Sequence, residues 1–295
     1  MDSRPTTPMS MLREIRVLHL EPTDVCQASC PLCARETDAR FDKSQKHHLT
    51  VNQILSHIDC ESIQQLDKMF MCGNYGDPAA GRHTLEIYRY FRSIHPEIVL
   101  GMNSNGAIQN TAWWQTLGEI FHRQRDYVVF SIDGLEDTNH IYRRGVDWNK
   151  LMENIRSYVS TGASAHWDML VYQHNEHQVD NCERLARDMG FSWFRAKVSK
   201  RQLANGLAYP LQWHAPNVEM GKIHCHALLE KSTYIDAQGR LHPCCWLGHN
   251  DPANFDMIQQ SWQTSNPEPI CHRTCSYQKS GTNFTNQWQR NVELN

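Results

Sequence analysis

The sequence predicts an α/β protein whose main unit is an open, partial β/α barrel, followed by a small cysteine-rich domain. Short β-rich runs alternate with segments of helical periodicity from residue 16 to about residue 199, a pattern typical of a parallel sheet with helical crossovers. Six such units fit in this region, whereas a closed TIM barrel has eight and needs about 250 residues. After about residue 205 the composition shifts to Pro, Asn, Cys and Trp. We therefore expect a partial (β/α)6 TIM-like barrel in residues 1–205 and a second domain in residues 206–295.

Each predicted strand is a short run of aliphatic, aromatic and β-branched residues. The six runs cover residues 16–21, 67–72, 97–102, 126–132, 166–172 and 191–198. The segments between them carry apolar residues three or four apart, as helices with one buried face do. The first of these segments begins at Thr50, a typical N-cap residue, and the one after the fourth strand ends at Gly162, which suits a helix C-terminus.

The C-terminal region has little apolar content. Residues 232–246 contain two short extended runs around an Ala-Gln-Gly turn, which predicts a β-hairpin. A domain this small buries too little apolar surface to be stable by itself, so we expect bound metal to stabilise it. The last twenty residues are polar and are expected to form a loose tail.

Charge and hydropathy argue against several classes of protein. The formal net charge is −3 and no long Lys/Arg block is present, which does not favour a nucleic-acid partner or an anionic membrane surface. The N-terminus lacks the apolar run of a secretory signal, and no window has the roughly 18 apolar residues of a membrane-spanning helix. We therefore expect a cytoplasmic protein, in which the eleven cysteines stay reduced and serve metal binding or redox chemistry.

Polar segments rich in Gly, Asn or Cys follow five of the predicted strands. They are residues 24–36, 72–79, 103–106, 131–134 and 172–176. Alone, each of them has the composition of an ordinary turn. In parallel β/α barrels, however, the carboxyl ends of the strands carry the active site. We therefore expect these segments to lie on one rim and to form a single site.

The loop after the first strand contains Cys26, Cys30 and Cys33 in a C-x3-C-x2-C pattern. Three thiolates can hold a 4Fe–4S cluster by three of its irons, which leaves the fourth iron open to a substrate or cofactor ligand. The alternative is a zinc knuckle, in which a nearby histidine supplies the fourth ligand. The candidates for that ligand are His19, His47 and His48.

This cysteine pattern resembles the motif of the radical SAM superfamily, and the resemblance extends over nearly the whole chain. It implies that Cys26, Cys30 and Cys33 hold the cluster and that the open iron binds the amino and carboxylate groups of S-adenosylmethionine. The chemistry it implies is reductive cleavage of this cofactor to methionine and a 5′-deoxyadenosyl radical, which abstracts hydrogen from a substrate in the barrel mouth. Leu32 departs from the motif, because many members carry an aromatic residue beside the last cysteine.

The resemblance also assigns cofactor contacts to other segments of the rim. The segment GNYGDP looks like the family's glycine-rich segment, with Asp77 in place of the commoner Glu as acceptor for the methionine ammonium group. The segments NSNG and SIDG resemble those that line the ribose and the carboxylate, and Arg143 or Arg144 would pair with the carboxylate. The residues implied to bind the cofactor are Gly73, Tyr75, Gly76, Asp77, Asn103, Ser104, Asn105, Ser131, Asp133 and Arg143.

The C-terminal cysteines resemble the SPASM/Twitch extension of the same superfamily. A full SPASM domain has seven cysteines and two auxiliary clusters, whereas this chain lacks the intervening C-x2-C pair, which favours the Twitch form with one 4Fe–4S cluster. The ligands implied are Cys225, Cys244, Cys271 and Cys275. Cys245 is an alternative ligand, because neighbouring side chains in an extended run point in opposite directions. Four thiolates would also suit a structural zinc ribbon.

The remaining cysteines have a simpler interpretation. Cys60 and Cys182 lie in predicted helices, and Cys72 borders the glycine-rich segment. We expect Cys60 and Cys182 to be buried thiols that act as small apolar residues. We expect Cys72 to be a core residue first and an active-site contact second.

Together these features predict a radical S-adenosylmethionine oxidoreductase that modifies a peptide or protein side chain. The resemblance implies an electron donor such as flavodoxin or ferredoxin. One alternative is oxidation of a small-molecule alcohol by a Twitch-type dehydrogenase. Another is a non-catalytic module that binds zinc or an iron–sulfur cluster.

Overall fold

The strands that the structure describes belong to one mixed sheet. The computed structural model describes residues 14–199, 201, 203–204, 206–214, 223, 225–249, 268–275 and 288–294. Its strands are β1 (Val17–Leu20), β2 (Lys68–Met71), β3 (Val99–Ser104), β4 (Tyr127–Ser131), β5 (Ala165–Val171), β6 (Trp193–Val198), β7 (Ser232–Ile235), β8 (Leu241–His242) and β9 (Arg290–Glu293). Their order in the sheet is β8-β7-β1-β2-β3-β4-β5-β6-β9. Strands β1 to β6 are parallel neighbours in chain order, which confirms the predicted open barrel of six units.

Helices connect the parallel strands β1 to β6, and the structure describes two further helices after β6. They are α1 (Ala34–Thr37), α2 (Val51–Leu55), α3 (Cys60–Gln64), α4 (Thr84–Ile94), α5 (Thr111–Ile120), α6 (Glu136–Tyr142), α7 (Trp148–Val159), α8 (Val179–Asp188), α9 (His226–Leu229) and α10 (Pro269–Cys275). The side chain of Thr50 caps α2 in a capping box with Gln53, as the sequence predicts. Asn110 and Asp147 cap α5 and α7 in the same manner, by accepting from a backbone amide of the first turn. Each helix that the structure describes is too short or too polar to cross a lipid bilayer.

The two faces of the sheet differ in chemistry. One face is apolar and covered by helices: Phe130 of β4 packs against Trp114 of α5 and Tyr158 of α7, with ring centroids 5.2 and 5.8 Å away. Because side chains alternate along a strand, the other residues of each strand form the interior of the barrel. That face carries His19, Lys68, Phe70, Tyr127, His166, Asp168 and Arg195. The interior of the barrel is therefore polar and aromatic, in contrast to the apolar face that the helices cover.

The C-terminal region extends this sheet at both edges. Strands β7 and β8 form the predicted hairpin, and β7 pairs in parallel with β1. Of the last twenty residues, expected from their polarity to be a loose tail, Arg290–Glu293 instead form β9, antiparallel to β6. Residues 276–287 and 295 of that stretch lie outside the described residues. Leu294 is buried beside this strand, with 8% of its surface exposed, and its burial holds the end of the chain in place. The division into domains at residue 205 stays a prediction.

Candidate functional site

The three cysteines of the motif lie on the loop between β1 and α1, at the carboxyl end of β1. Cys33 is the N-cap residue of α1, and its amide donates to the Cys30 carbonyl at 2.9 Å. The pKa of Cys26 is raised to about 12, first by burial and then by the charges of Asp77 and of the two other thiols. The three sulfurs therefore lie close enough to act on one another. A cationic group bound among them would hold them as thiolates, so the donor set fits the iron–sulfur cluster that the sequence implies.

The histidines that could complete a zinc knuckle are engaged elsewhere. His19 Nε2 donates to the Cys72 carbonyl at 2.6 Å, and His47 Nδ1 lies 2.5 Å from the Asp24 carboxylate. His48 Nδ1 accepts from the Arg82 amide at 3.4 Å. This geometry does not favour the zinc interpretation.

The glycine-rich segment after β2 packs directly against the cysteine loop. A Cβ at Gly73 would lie 2.0 Å from the Gly76 carbonyl oxygen, and a Cβ at Gly76 would lie 2.0 Å from the Thr23 carbonyl oxygen. The Asp77 amide donates to the Val25 carbonyl at 2.9 Å. Only glycine permits such close approach of two backbones. Gly73 and Gly76 thus shape the site through their backbone.

Asp77 joins this segment to the segment after β3. Its side chain is buried, and its Oδ1 accepts from the Ala79 amide at 2.9 Å and from the Ser104 hydroxyl at 2.8 Å. Its Oδ2 accepts from the backbone and side-chain nitrogens of Asn105, both at 2.7 Å. Four donors occupy the four lone-pair positions of a carboxylate. In this geometry Asp77 positions Ser104 and Asn105, and direct contact with an ammonium group would require a rearrangement.

Asn105 connects this network to the cysteine loop. Its Nδ2 lies 3.7 Å from the Cys26 sulfur and donates to Gln27 Oε1 at 3.2 Å, and its Oδ1 accepts from Gln27 Nε2 at 2.7 Å. Asn103 lies two residues earlier on β3 and faces the barrel interior, half-buried. Gln27 was missed by the sequence analysis, although an amide side chain between two motif cysteines could have indicated a polar contact in the site.

Replacement of Asp77 by asparagine tests this positioning role. The new amide nitrogen would face two donors in a buried position, so we expect the free energy of unfolding to fall by about 1–3 kcal/mol. Displacement of Asn105 should also weaken S-adenosylmethionine binding by roughly 1.5–3 kcal/mol, while any iron stays bound. Urea unfolding and equilibrium binding measure the two effects.

The matched control is Asp59→Asn, because Asp59 caps α3 by accepting from the Ser62 amide. Asparagine is an equally good N-cap residue, so this variant should change neither quantity. Unchanged cofactor affinity in Asp77→Asn would show that Asp77 only shapes the turn before Pro78.

The segment after β4 contributes a buried ion pair. Arg143 Nε donates to Asp133 Oδ2 at 2.6 Å, and the side chains are 17% and 0% exposed. Burial raises the pKa of Cys30, and the Arg143 guanidinium opposes this shift, so Arg143 lies beside the cysteine loop. Arg144 is exposed, and its carbonyl accepts from the Ser29 amide at 2.9 Å. Of the two arginines that the sequence leaves open, this geometry favours Arg143 as the group facing a bound carboxylate.

The two other predicted contact residues lie at the margins of the site. Tyr75 stacks on Phe41 with ring centroids 4.3 Å apart, and its hydroxyl donates to Asp38 Oδ2 at 2.9 Å. Ser131 lies at the end of β4 on the interior face, in register with Asp168. Both border the rim, and their contact with a cofactor stays a prediction.

Glu21, directly after β1, is a candidate that the sequence analysis missed. It is 1% exposed, and its Oε1 accepts from the amides of Tyr75 at 2.7 Å and Gly76 at 3.1 Å. Its Oε2 accepts from the Tyr234 hydroxyl of β7. Burial raises the pKa of Glu21 to about 7, against these hydrogen bonds. The carboxyl group thus ties the glycine-rich segment to the C-terminal hairpin.

The four C-terminal cysteines predicted to act together come from three places in the fold. They are Cys225 before α9, Cys244 after β8, and Cys271 and Cys275 in α10. Burial raises the pKa of Cys271 to about 12, and the three other thiols contribute to the rise. The four thiols therefore lie within electrostatic reach of one another, and their joint role as ligands stays a prediction.

Cys245, the alternative ligand, faces a different environment. Its pKa is raised by burial and by Cys244, Cys72 and Glu21, and the last two belong to the barrel. The Cys245 carbonyl accepts from Asn74 Nδ2 at 2.8 Å, which anchors this turn to the glycine-rich segment. These contacts favour Cys244 over Cys245 as the fourth member of the C-terminal group.

One expectation about the remaining cysteines was wrong. Cys60 is exposed, because it lies in the first turn of α3 with its sulfur 3.5 Å from the Tyr90 hydroxyl. Cys182 is buried within α8 as expected, and Cys72 is half-buried at the end of β2.

The open sheet of parallel strands, with helices on its outer face and polar segments at its rim, defines the class of fold. It is the partial TIM-like barrel of radical SAM enzymes. No protein-family model and no curated protein matches the sequence.

Particular solved structures share this fold. Streptococcus suis SuiB bound to S-adenosylmethionine is similar with a TM-score of 0.60 and 11% identity, over 87% of this chain and 67% of SuiB. SuiB bound to the precursor peptide SuiA gives a TM-score of 0.58 and 12% identity, over 87% of this chain and 66% of that one. The protein anSMEcpe with bound AdoMet and Cp18Cys peptide gives a TM-score of 0.55 and 13% identity, over 78% of this chain and 73% of that one. The chain thus spans about two thirds of the length of SuiB.

Proposed function

We propose that the protein is a radical S-adenosylmethionine enzyme that modifies a side chain of a peptide or protein. The observation that carries this proposal is the grouping of Cys26, Cys30 and Cys33 with Asn105 and Arg143 at one rim of the barrel. The Asn105 amide nitrogen lies 3.7 Å from the Cys26 sulfur. Burial raises the pKa of Cys30, and the charge of Arg143 opposes this rise. The cysteines suit a cluster with one open iron, and the polar groups beside them suit a zwitterionic ligand.

Each residue of the site has a distinct proposed role. The three thiolates would hold a 4Fe–4S cluster that, when bound, supplies the electron for cleaving S-adenosylmethionine to methionine and a 5′-deoxyadenosyl radical. Arg143 is placed to pair with the methionine carboxylate, and Asp133 holds its guanidinium in position. Asn105, fixed by Asp77, offers its amide beside Cys26. Asp77, Asn105 and Asp133 are buried at this rim, which would limit the access of water to the reacting atoms.

The choice of a peptide substrate rests on the fold. SuiB was solved with the precursor peptide SuiA, and anSMEcpe with the Cp18Cys peptide; both share the fold of this chain. The second group of thiols would hold an auxiliary 4Fe–4S cluster of the Twitch type in the C-terminal domain. The chemistry that it would supply there is electron acceptance, or else only an anchor for this region as a lid. The partner that would supply electrons to the first cluster is a flavodoxin or ferredoxin in the cytoplasm.

The decisive experiment is anaerobic reconstitution with iron and sulfide, followed by incubation with dithionite and S-adenosylmethionine. We expect a brown protein with about eight irons per chain and formation of 5′-deoxyadenosine, detected by mass spectrometry. A colourless protein that binds zinc in both groups and leaves the cofactor intact would instead establish the non-catalytic module.

A further inference from the structure

Asn74 connects the cysteine loop to the C-terminal region. It belongs to the glycine-rich segment, and its carbonyl oxygen is 4.0 Å from the Cys33 sulfur. Its side-chain Nδ2 donates to the Cys245 carbonyl at 2.8 Å and to the Tyr234 hydroxyl at 3.3 Å. One residue therefore contacts the first group of thiols through its backbone and the neighbourhood of the second group through its side chain.

The Tyr234 hydroxyl provides a second connection. Tyr234 is 1% exposed on β7, and its hydroxyl donates to Glu21 Oε2. Glu21 Oε1 accepts from the amides of Tyr75 and Gly76 in the glycine-rich segment, at 2.7 and 3.1 Å. Because the hydroxyl accepts from Asn74, each donor in this network meets an acceptor when Glu21 is ionised. A buried network in which each of these donors is satisfied favours a single arrangement of its members.

The turn that carries Cys244 and Cys245 packs against this network. The Gly248 amide donates to the carbonyls of both cysteines at 3.2 Å. A Cβ at Gly248 would lie 2.5 Å from Tyr234 Cε1, so the turn is in direct contact with the tyrosine ring. A shift of Cys244 would therefore move both the acceptor of Asn74 and the surface against which Tyr234 packs.

A metal or cluster bound by the C-terminal thiols would fix this turn. The four cysteines come from three places in the fold, and binding to one centre restricts all of these places together. A fixed turn holds the Cys245 carbonyl and the Tyr234 ring in the arrangement that orders the glycine-rich segment. When one site orders a segment that a second site uses, the two sites share a coupling free energy.

We propose that Asn74 and Tyr234 couple the C-terminal thiols to the rim, so that a metal or cluster bound by these thiols raises the affinity of the rim for S-adenosylmethionine. This inference rests on the proposed function, because it takes that cofactor as the ligand of the rim. Asn74 and Tyr234 are positioning residues, since they act through Glu21 and the backbone of the glycine-rich segment.

The experiment is a double-mutant cycle on the full chain, reconstituted anaerobically with iron and sulfide and not reduced. One arm removes two C-terminal ligands by Cys271→Ala and Cys275→Ala, and the other removes the connection by Asn74→Ala and Tyr234→Phe. Hydrogen exchange of a peptide that covers residues 72–79 is measured by mass spectrometry without cofactor. The affinity for S-adenosylmethionine is measured separately by equilibrium dialysis.

We expect loss of the C-terminal ligands to accelerate exchange of this peptide and to weaken cofactor binding, each by about fivefold or more, the lower end of typical coupling between sites. Once Asn74 and Tyr234 are replaced, the same loss should change either quantity less than about twofold, because the connection is already absent. Effects that are merely structural and independent would instead be additive in the two arms.

The matched control for the connection is Tyr88→Phe. Tyr88 is also fully buried, and its hydroxyl donates to the Gly101 carbonyl at 2.7 Å. It lies on α4, outside the network around Glu21. This variant loses a buried hydrogen bond and should be less stable, yet its response to loss of the C-terminal ligands should match that of the unaltered protein.

Equal acceleration of exchange in both backgrounds would overturn the proposal, as would no acceleration in either. Loss of the response in Tyr88→Phe would also overturn it, because any destabilised barrel would then give the same result. Exchange is measured without cofactor, so it decides the coupling independently of cofactor binding. Absence of S-adenosylmethionine binding in every protein of the cycle would refute the proposed function, while the exchange result would still decide the connection.

Discussion

Replacement of Cys26, Cys30 and Cys33 together by alanine is expected to abolish 5′-deoxyadenosine formation and to remove about four irons per chain. The proposed cluster needs thiolate ligands, and the described residues around the loop offer no histidine free of another partner to replace them. The barrel should stay folded, because the loop is also held by Asp24, Glu21 and the glycine-rich segment. Iron analysis and mass spectrometry of the reduced reaction measure the result.

A single variant, Cys60→Ala, provides the control. Cys60 is an exposed thiol on α3, outside both groups of cysteines, so iron content and product formation should match those of the unaltered protein. Cofactor cleavage that persists in the triple variant would refute the assignment of the three cysteines.

Replacement of Cys271 and Cys275 by alanine is expected to have the second largest effect. The two residues belong to α10, and the C-terminal region has little apolar surface, so metal-binding energy should supply much of its folding energy. We expect loss of the second cluster, a folded barrel with the first cluster loaded, and new protease cleavage in the last seventy or so residues. Limited proteolysis with mass spectrometry locates the cuts.

The control for this pair is Cys245→Ala. Cys245 faces Cys72 and Glu21 of the barrel, so this variant should retain both clusters. Loss of the second cluster in Cys245→Ala would instead make Cys245 a ligand. A variant that keeps the fold but alters the second cluster should still cleave S-adenosylmethionine and fail to turn over substrate. Full turnover without that cluster would show that the C-terminal region is a structural lid.

The placement of the candidate site could be predicted from the sequence because it depends on local patterns. Strands and helices alternate with clear periodicity, and parallel strands must end on the same side of a barrel. Cys26, Asp77 and Asn105 each follow a different strand, and the structure brings them together. The N-cap at Thr50 and the hairpin around Gly239 could likewise be predicted from the types of neighbouring residues.

The partners of individual side chains could not be predicted in the same way. Asp77 has the residue type of an ammonium acceptor, yet its carboxylate is occupied by Ser104, Asn105 and a backbone amide. Arg143 and Arg144 are adjacent residues of the same type. Arg143 is the C-cap residue of α6, and it is this arginine whose side chain pairs with Asp133. Such choices depend on contacts between residues far apart in the chain.

The sequence by itself determined the class of fold, the rim on which the site lies and the residue types available there, because these follow from periodicity and spacing along the chain. The tertiary structure alone decided that β7 pairs with β1 and β9 with β6, and that Glu21 joins Tyr234 to the glycine-rich segment. It also decided that Trp288 lies against Arg195 and Lys197. The physical reason is that these contacts form only when distant segments bury their polar groups together, and a buried polar group must find its partner wherever the fold places one.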